Sequence, residues 1–569
     1  MKLSYGVSNF EKLRSEGYFY VDKTAYIEVL ENLPETCVVM LRPRRFGKTL
    51  FANMLGYYYN RMHSEIFDLL FAGTYIHDHP TPKRNAYMIL KFNFSAINTE
   101  TLENANKGFH HSVMTSTDLF IGLYHDHFTK EERRQIIEQE KPNDILTALF
   151  RKIEEKKLGK CIYVIIDEYD HFANNILSQG KDMFKDLVKT DGYVRPFYET
   201  LKQGTETVVD QIFITGVMPI LLDSLTSGFN ISVNLSTDAR FNEIMGFTDE
   251  EITPILKSLG AEDNRTEIKA YYDGYRFSPD TAQTVYNSDM IIYYGLRYKP
   301  DNGRPDSIID INVVSDYRKI RAILSIGDKN LEEEILTRIV QEDMISINKI
   351  SELFALTQET EFLFDAKALV SLLFYMGYLT ITEKSKLAIT FQIPNMVLKS
   401  LYLDYMQYML MKRSQIRIDG MKKDEMMRDL VDGKIDLLIS LTEKLLKGLS
   451  NRDYQQFDEK YIKVVMLSLL SDVDIYIPHS EYEVSADGYV DLYLQAAFRP
   501  DVSPGYFIEL KYVKAKAIKS VVEKKEIEGR NAMKRYAKSD TAKKAKNLHC
   551  YVLVFRKDRC VRKVRCNLI

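Results

Sequence analysis

The basic segment "RPRRFGKT" contains the first group of residues whose types and spacing suit phosphate chemistry. It ends in Gly47, Lys48 and Thr49, as does the phosphate-loop pattern G-x-x-x-x-G-K-[ST]. In that pattern the glycine allows a close approach to the anion, the lysine reaches the β and γ phosphates, and the hydroxyl group binds Mg²⁺. The pattern begins with glycine, whereas this chain has Arg42. A nucleotide site and a chance GKT on a basic turn both remain open at this point.

The stretches around this segment favour the nucleotide site. "TCVVMLRP" reads as a strand before the turn and "TLFANMLGYYYNRM" as a helix after it. A strand-to-helix turn binds phosphate through free backbone N–H groups and the positive end of the helix. A second strand, "KCIYVIIDEYD", ends in acids. We predict that Asp167 holds Mg²⁺, directly or through water, and that Glu168 polarises the attacking water. Two solvated acids at a strand end are the alternative.

The alternation of strands and helices predicts the fold of the first part. "NAYMILKFNFS" and "VDQIFITGVMP" add two strand-like stretches, and strands separated by helices indicate a parallel sheet with helices on both faces. Thr215, in the second stretch, is predicted to contact the γ-phosphate or its water; a threonine that caps a turn is the alternative. We therefore predict an α/β phosphate-loop NTPase domain over residues 1–260.

Long helical runs follow, such as "DAKALVSLLFYMGYL" and "GKIDLLISLTEKLLKGL". They predict a helical middle region over residues 261–450, with a small winged element near "YLTITEKSKLAITFQIP" as one reading. From about residue 455 the pattern changes again, to one helix and then strand-like stretches. We predict a smaller α/β domain over residues 451–569.

The segment "GYVDLYLQAAFRPDVSPGYFIELKYVKAK" carries the second chemical group. Alternate side chains of a strand share a face, so Glu509 and Lys511 point the same way. Asp491 ends a similar alternating stretch upstream. Two carboxylates that bind Mg²⁺, with a lysine that positions or deprotonates a metal-activated water, can hydrolyse a phosphodiester. An ordinary solvated ion pair on an exposed strand is the alternative. Glu483 and Glu459 can extend the predicted metal site.

The charge of the C-terminal segment is consistent with the predicted phosphodiester site. Residues 511–569 contain 19 Lys and Arg against 5 Asp and Glu, and such a tail can hold a polyanion by counterion release. A solvated basic face is the alternative. Tyr512 and Tyr536 lie within the tail and can stack on bases, although packing explains either residue as well.

Several stretches of residues 1–250 resemble the AAA-ATPase-like family, which is common in bacteria. They are "YGVSNFEKLRSEGYFYVDKTAYI", "LRPRRFGKTLFANML", "YVIIDEYD", "FITGVMPI" and "LSTDARFNEIMGFTDEEI". The resemblance implies ATP and Mg²⁺ as cofactors. The family loop usually reads R-P-R-R-F-G-K, so Arg42 matches the family. We expect Arg42, Arg44 and Arg45 to add positive charge beside a triphosphate.

The same resemblance bears on both ends of the chain. Asp22, Lys23 and Thr24 in "YVDKT" are expected near the adenine side, although a helix cap explains Asp22 equally well. Members of the family typically carry a PD-(D/E)XK nuclease domain at the C-terminus. The positions that match its S-E-x-E, glycine, Asp and E-x-K pattern are Ser480, Glu481, Glu483, Gly488, Asp491, Glu509 and Lys511. The chain departs from the family in having Tyr489-Val490 where a Gly-Arg or similar pair is usual.

Composition limits the function classes. The net charge of −3 over 569 residues excludes a chain that binds nucleic acid by its overall charge. Five scattered cysteines form no C-x-x-C pattern, which suits a reducing cytosol. No apolar run approaches the ~18 residues that a membrane span needs, and the N-terminus has no signal-peptide core. We therefore expect a cytoplasmic protein without a membrane partner. The "HDH" at 77–79 is expected to be a surface loop and not a metal site.

Two functions follow from these patterns. The leading one is an ATP-binding, ATP-hydrolysing protein coupled to a Mg²⁺-dependent endonuclease that acts on DNA or RNA through a basic C-terminal domain. The other is a nucleotide-dependent switch or scaffold whose C-terminal domain binds nucleic acid or a partner without cutting. The intact set of Asp491, Glu509 and Lys511 favours the first. The oligomeric state is open, with a homo-oligomer as one option.

Overall fold

The computed structural model describes residues 1–172, 175, 193–219, 228–301, 303–310, 312–313, 329–352, 365–450, 458–485, 488–499, 502–545 and 547–567. Some of the stretches used above are interrupted by these gaps. Residue 220 of "FITGVMPI", residues 486–487 and 500–501 of the C-terminal segments, and parts of the predicted helical middle region lie outside the described residues.

The described residues form two compact units. The greater part of the first is Met1–Asp306 and Ser346–Phe391, and the greater part of the second is Lys329–Ile345 and Gln392–Ile569. The middle region 261–450 contributes to both units. The predicted domain boundaries at 260 and 450 therefore stay predictions.

The elements are numbered here in chain order over the described residues. The strands are β1 (Cys37–Leu41), β2 (Met88–Asn93), β3 (Ile162–Asp167), β4 (Val209–Gly216), β5 (Ser232–Asn234), β6 (Met344–Ile347), β7 (Thr380–Lys384), β8 (Ile389–Gln392), β9 (Tyr476–Ser485), β10 (Gly488–Ala496), β11 (Gly505–Val513), β12 (Leu548–Arg556) and β13 (Arg559–Cys566). The helices up to residue 300 are α1 (Phe10–Ser15), α2 (Ala25–Glu31), α3 (Lys48–Tyr59), α4 (Phe67–Phe71), α5 (Tyr75–Asp78), α6 (Leu102–Leu123), α7 (Lys130–Ile137), α8 (Pro142–Glu155), α9 (Val194–Thr207), α10 (Thr253–Leu259), α11 (Arg265–Tyr272) and α12 (Ser288–Arg297). The later helices are α13 (Lys329–Glu342), α14 (Ala366–Tyr375), α15 (Met396–Ser414), α16 (Gly420–Val431), α17 (Asp436–Ser450), α18 (Glu459–Leu469), α19 (Lys519–Tyr536) and α20 (Asp540–Lys544). Short 3₁₀ turns span Arg61–Ile66, His125–His127, Ala239–Phe241 and Glu262–Asn264.

The first unit is built on a five-stranded sheet in the order β2-β3-β4-β1-β5. All four strand pairs are parallel. Every residue of β1 and β3 is buried, which is the near-continuous apolar run of a parallel sheet covered on both faces. The predicted parallel sheet flanked by helices is confirmed. In this order β4 lies between β1 and β3, so the end of β4 separates the loop after β1 from the acids after β3.

The same unit contains part of the predicted middle region. All eight residues from Ala368 to Tyr375 in α14 are buried, and β7 and β8 follow as neighbours in a small sheet. A helix followed by a two-stranded hairpin is the element order expected for the predicted winged element. None of the described helices is long and apolar enough to cross a membrane.

The second unit combines helices with a mixed sheet in the order β13-β12-β11-β10-β9. Only the β11–β12 pair is parallel, and α19 supplies the crossover that such a pair requires. Gly529 allows α19 to approach the sheet, because a Cβ there would meet Val552 Cγ1 at 2.5 Å. Helices α15, α17 and α18 pack against one another. The helical middle region and the C-terminal α/β fold predicted from the sequence are therefore both present, and the sheet of the C-terminal fold is mixed.

Candidate functional sites

The phosphate loop, residues 42–47, joins β1 to α3 as the sequence predicts. Helix α3 begins at Lys48, directly after the loop. Gly47 has φ 87°, in the left-handed region, where glycine carries no side-chain penalty. Arg45 has φ 67° and adopts the same region without being glycine. The loop is therefore a tight turn whose last residue needs glycine.

The Lys48 amine lies inside the loop rather than in solvent. Its side chain is buried, and Nζ donates to Arg42 O at 3.0 Å and to Pro43 O at 2.9 Å. Burial lowers the pKa of Lys48, while nearby carboxylates, that of Glu168 first, act in the opposite direction. Thr49 lies half-buried in the first turn of the same helix. The amine is thus held inside the loop by the loop's own carbonyl groups.

Polar side chains lie at the carboxyl ends of three neighbouring strands. Asp167 ends β3 and is fully buried. Thr215, near the end of β4, donates from Oγ1 to Asp167 Oδ1 at 2.6 Å. Asn93, at the end of β2, donates to Asp167 Oδ2 at 3.4 Å. Ligands of open parallel sheets bind at this edge. The structure brings the predicted pair Asp167 and Thr215 together and adds Asn93, which sequence reasoning missed.

Glu168 follows Asp167 in a strained backbone position, with φ 51°. Its Oε2 lies 3.0 Å from His171 Nδ1. This hydrogen bond, together with the charges of Lys48 and Arg44, lowers the pKa of Glu168 to about 2 despite its partial burial. Glu168 is therefore ionised at neutral pH. A carboxylate with so low a pKa is suited to orienting a water molecule rather than to removing its proton.

The environment of Arg42 differs from the expectation that it adds charge beside a triphosphate. Its guanidinium is buried and donates to Leu41 O at 2.8 Å, Ser236 O at 2.8 Å and Phe241 O at 2.6 Å. It also lies 4.1 Å from the ring centroid of Phe277. A buried guanidinium needs acceptors for its donors, and these carbonyl groups accept from Nη1 and Nη2, whereas Nε has no hydrogen-bond partner among the described residues. Arg42 therefore fixes the loop to the segments that follow the sheet.

The other two arginines have different surroundings. Arg45 Nη1 lies 3.3 Å from Asp289 Oδ2 and 3.3 Å from Tyr5 Oη, so part of its charge is paired away from the loop interior. The charge of Arg44 helps to lower the pKa of both Glu168 and Lys48. Arg44 is thus the arginine whose field acts on the predicted hydrolytic carboxylate.

Two further groups around this site carry structural hydrogen bonds. Asp170 is buried and accepts from Val217 N at 3.1 Å and from Met218 N at 2.7 Å. It thereby fixes the turn after β4, and the third acid of "DEYD" was the sequence signal for it. In the "YVDKT" motif, Asp22 accepts from Thr24 N at 2.9 Å, as a local cap does. Lys23 pairs with Glu251 at 2.7 Å, so this motif is joined to the "GFTDEEI" segment.

The C-terminal group converges on β10 and β11. Lys511 Nζ lies 2.7 Å from Glu509 Oε1 and 3.8 Å from Asp491 Oδ2. Asp491 Oδ2 also accepts from Leu510 N at 2.7 Å. The ladder between the two strands pairs residues 492–494 with 506–508, so the three side chains lie where this pairing ends. The structure therefore brings Asp491, Glu509 and Lys511 into one cluster.

The carboxylates of this cluster are shielded from solvent, with Glu509 buried and Asp491 partly buried. Burial raises the pKa of Asp491 to about 6. Burial and the charge of Asp491 raise the pKa of Glu509 to about 7. Burial alone would lower the pKa of Lys511, but the charges of Glu509 and Asp491 outweigh it and raise that pKa. Glu509 Oε2 is a buried oxygen without a hydrogen-bond partner in the described structure. One lysine thus faces two carboxylates that are costly to ionise together.

The role of Glu483 and Glu459 in extending the metal site stays a prediction, and the two residues have different surroundings. Glu483 is exposed and pairs in register with Tyr489, two residues, or about 6.6 Å, along the strand from Asp491. Glu459 accepts from Tyr512 N at 3.0 Å through Oε1. Within the described ranges, no group of three or more His, Cys, Asp or Glu side chains is arranged to hold a metal ion. The charge of Glu459 nevertheless raises the pKa of both Glu509 and Lys511, so Glu459 borders the cluster. Asp491 and Glu509 are the central candidate ligands.

Glu481 has a role that the sequence did not assign. The pairs Val490–Tyr482 and Leu492–Ser480 place it opposite Asp491 in the sheet. It forms a salt bridge with Lys463, a buried residue of α18. Its charge raises the pKa of Asp491, and that of Lys463 lowers it. This pair borders the cluster and tunes its electrostatics.

These donors fit the ion that the patterns imply. Mg²⁺ prefers oxygen ligands and is held by one or two carboxylates, with water and substrate phosphates at the remaining positions. Asp491 and Glu509 offer such a pair, and the unpartnered Glu509 Oε2 supplies a free acceptor. In the first unit, the Thr49 hydroxyl and the Asp167 carboxylate are oxygen donors at the strand edge that faces a nucleotide in this sheet type.

Comparison with known families agrees with both sites. Residues 4–226 match the family model described as predicted AAA-ATPase, and residues 457–565 match the PD-(D/E)XK nuclease superfamily. The chain carries an AAA-ATPase-like domain and a PD-(D/E)XK nuclease superfamily domain. The first match contains the phosphate loop and Asp167; the second contains Asp491, Glu509 and Lys511.

Two individual proteins are similar to this chain at low sequence identity. A protein of Azotobacter chroococcum mcd 1, described as "Uncharacterized protein in vnfD 5'region", is 27% identical over 322 residues, which are 54% of this chain and 56% of that protein. The match thus spans about half the length of this curated relative. The Walker-type ATPase PABY2304 of Pyrococcus abyssi aligns with a TM-score of 0.36 and 13% identity over 71% of this chain and 98% of that chain. A likeness at that level transfers no property to this chain.

Proposed function

We propose that this chain binds and hydrolyses ATP in its first unit and cuts phosphodiester bonds of nucleic acid in its second unit. The observation that carries the nuclease half is the position of Lys511 Nζ, within 4 Å of both Asp491 and Glu509. A simple solvated ion pair needs neither the second carboxylate nor the burial that these groups share. The intact acid–acid–lysine set favours cutting over binding alone.

Each residue of the C-terminal cluster has a distinct task in this proposal. Asp491 and Glu509 hold Mg²⁺. When bound, the metal polarises the phosphodiester and lowers the pKa of its water. Lys511 keeps its proton, because the two carboxylates raise its pKa. It therefore acts as a cation that positions water and stabilises charge on phosphate, and not as a base.

The substrate class follows from charge. The segment after Lys511 exposes lysines on the way into α19 and along it. They are Lys514, Lys516, Lys519 and Lys524. Cations spaced along a surface beside a phosphodiester site suit a nucleic-acid backbone. DNA and RNA fit this surface equally.

The first unit supports the ATP half of the proposal. Lys48 and the amide groups at the start of α3 bind phosphate, and Thr49 and Asp167 hold Mg²⁺. Thr215, which donates to Asp167, orients that carboxylate, and Glu168 orients the attacking water. ATP turnover is proposed to control cutting by the second unit.

The nuclease is tested with purified chain and labelled single- and double-stranded DNA and RNA, with Mg²⁺ or Mn²⁺, with and without ATP. We expect cleavage of at least one substrate, lost in Glu509→Gln, which keeps the size of the side chain. Glu523→Gln, an exposed glutamate of α19, is the matched control and should cut normally. If the wild-type chain binds nucleic acid but never cuts it under any of these conditions, the scaffold function replaces the nuclease.

A further inference from the structure

Three consecutive residues at the start of α12 contact the phosphate loop from outside. Asn287 Nδ2 donates to Arg44 O at 3.4 Å, and Ser288 Oγ donates to Arg45 O at 3.1 Å. Asp289 Oδ2 lies 3.3 Å from Arg45 Nη1. Two neighbouring carbonyl groups and one side chain of the loop are thus engaged by one short segment, Asn287–Asp289.

A second segment meets the loop next to this one. Gly246 N donates to Phe46 O at 3.1 Å. Its neighbour Phe247 exchanges two backbone hydrogen bonds with Tyr286, at 3.1 and 2.7 Å. Gly246 has φ 84°, and a Cβ there would lie 2.9 Å from Tyr286 O. Residues 246–247 and 286–289 are therefore linked by backbone hydrogen bonds, and both segments contact the phosphate loop.

The peptide geometry gives these contacts a functional consequence. In a trans peptide the C=O of one residue and the N–H of the next point in opposite directions. Donors that hold Arg44 O and Arg45 O on the outer side therefore direct the N–H groups of Arg45 and Phe46 to the other side. Phosphate loops bind their anion through backbone N–H groups of this kind.

We propose that Asn287–Asp289 is the positioning segment of the phosphate loop and sets the orientation of its peptide N–H groups. This inference rests on the proposed ATP site and names residues beyond the G-K-T motif that determine its affinity. It also explains why Arg42 can replace the first glycine. The loop shape is fixed by outside contacts, including the guanidinium of Arg42 on Ser236 O and Phe241 O.

The test is the affinity of ATP and ADP, measured by calorimetry on the full chain. Ser288→Ala removes the donor to Arg45 O, and we expect the Kd to rise about 3- to 10-fold, the range of one net hydrogen bond. Ser288→Thr keeps a hydroxyl group and should restore most of the affinity. Asn287→Ser keeps an N-cap acceptor for α12 but loses the amide donor, and should also raise the Kd.

Ser258→Ala is the matched control, because Ser258 Oγ likewise donates to a backbone carbonyl, Ile255 O at 2.8 Å, outside the loop. It should leave the Kd unchanged. The thermal midpoint without nucleotide should stay within about 2 °C of wild type in Ser288→Ala, since one hydrogen bond is removed from a unit of this size. Wild-type affinity in Ser288→Ala and Asn287→Ser overturns the inference alone. Failure of the wild-type chain to bind ATP overturns the proposed ATP site and the inference with it.

Discussion

The two candidate sites each contain a lysine near carboxylates, but the pKa shifts in the two sites have opposite signs. In the first unit Lys48 bonds to neutral carbonyl groups, and burial lowers its pKa. In the second unit Lys511 bonds to carboxylates that raise its pKa. The acids differ in the same way. The pKa of Glu168 falls to about 2, whereas the pKa values of Asp491 and Glu509 rise to about 6 and about 7.

This difference indicates which kind of ligand each site favours. A loop that offers an amine and backbone N–H groups gains most from an anion. A buried pair of carboxylates with one lysine gains most from a cation, because the acids repel each other when ionised. The first site is therefore suited to a phosphate group and the second to a divalent metal. The following predictions test this contrast, from the largest effect to the smallest.

Lys511→Ala is expected to have the largest effect on activity. Loss of the cation that positions water and stabilises charge should lower the cleavage rate about 10²- to 10³-fold, the usual range for loss of one group that stabilises charge in the transition state. ATP affinity should not change. Lys422→Ala removes an exposed lysine of α16, in the same unit but outside the proposed nucleic-acid surface, and is the control. Normal cleavage by Lys511→Ala would reduce the lysine to an ion-pair partner.

Glu168→Gln should separate binding from turnover in the first unit. The amide preserves the shape but lacks the charge that orients water, so ATP turnover should fall about 10²-fold or more while ATP affinity stays within about 3-fold. Steady-state hydrolysis and calorimetry measure the two quantities. Glu206→Gln, an exposed position of α9, controls for the loss of a charge. Unchanged turnover would assign hydrolysis to another acid.

Lys48→Met is expected to raise the Kd for ATP about 10- to 100-fold, the range of a charge-assisted hydrogen bond. Methionine fills the buried space but cannot reach phosphate as a cation. Lys202→Met removes a lysine that bonds to Asn230 at 2.7 Å, in the same unit, and should bind ATP normally. Equal affinity in Lys48→Met and the wild type would identify the GKT as a turn without nucleotide.

The stability of the second unit should fall as the pH rises, and bound Mg²⁺ should counteract that loss. Because the folded pKa values of Asp491 and Glu509 exceed the ordinary values near 4, the folded state binds more protons between about pH 4 and 7. Stability is therefore fully present below that window and is lost as the pH rises through it. Mg²⁺ should raise the thermal midpoint by a few degrees at pH 7.5 and by less at pH 5.

The double variant Asp491→Asn/Glu509→Gln is the reference for this pH experiment. Both side chains then stay neutral, so the pH dependence should flatten and the Mg²⁺ effect on the second unit should disappear. A Mg²⁺ effect of equal size at both pH values, or one that persists in the double variant, would place the cation elsewhere.

Much of both sites could be predicted because the signals are local. The strand, the loop and α3 follow one another in the sequence, and period-2 alternation puts Glu509 and Lys511 on one face. The direction of the Arg42 side chain could not be predicted, because its acceptor Phe241 O lies 199 positions away in the chain. Likewise the contacts of Asn287 and Ser288 with the loop span 243 positions, so no local spacing predicts them.

The surroundings of the predicted metal ligands could be predicted from the sequence only in part. Glu483 matches the family motif, but whether it lies beside Asp491 depends on the strand register. The pairing of β9 with β10 sets Glu481, not Glu483, opposite Asp491, and a register is decided by the packing of both strands. The neighbouring contact of Glu481 with Lys463 of α18 also depends on how that helix packs. No spacing in the sequence encodes either contact.

The central claim is that Asp491 and Glu509 form one divalent-cation site. Its most direct test is a crystal structure of the chain grown with saturating Mn²⁺, in which the anomalous signal locates the ion. We predict a peak about 2.1 Å from one carboxylate oxygen of Asp491 and one of Glu509, with Lys511 alongside, since this is the oxygen distance of a small hard cation. A structure with no anomalous peak between these two carboxylates, at a Mn²⁺ concentration that supports cleavage, would contradict the account.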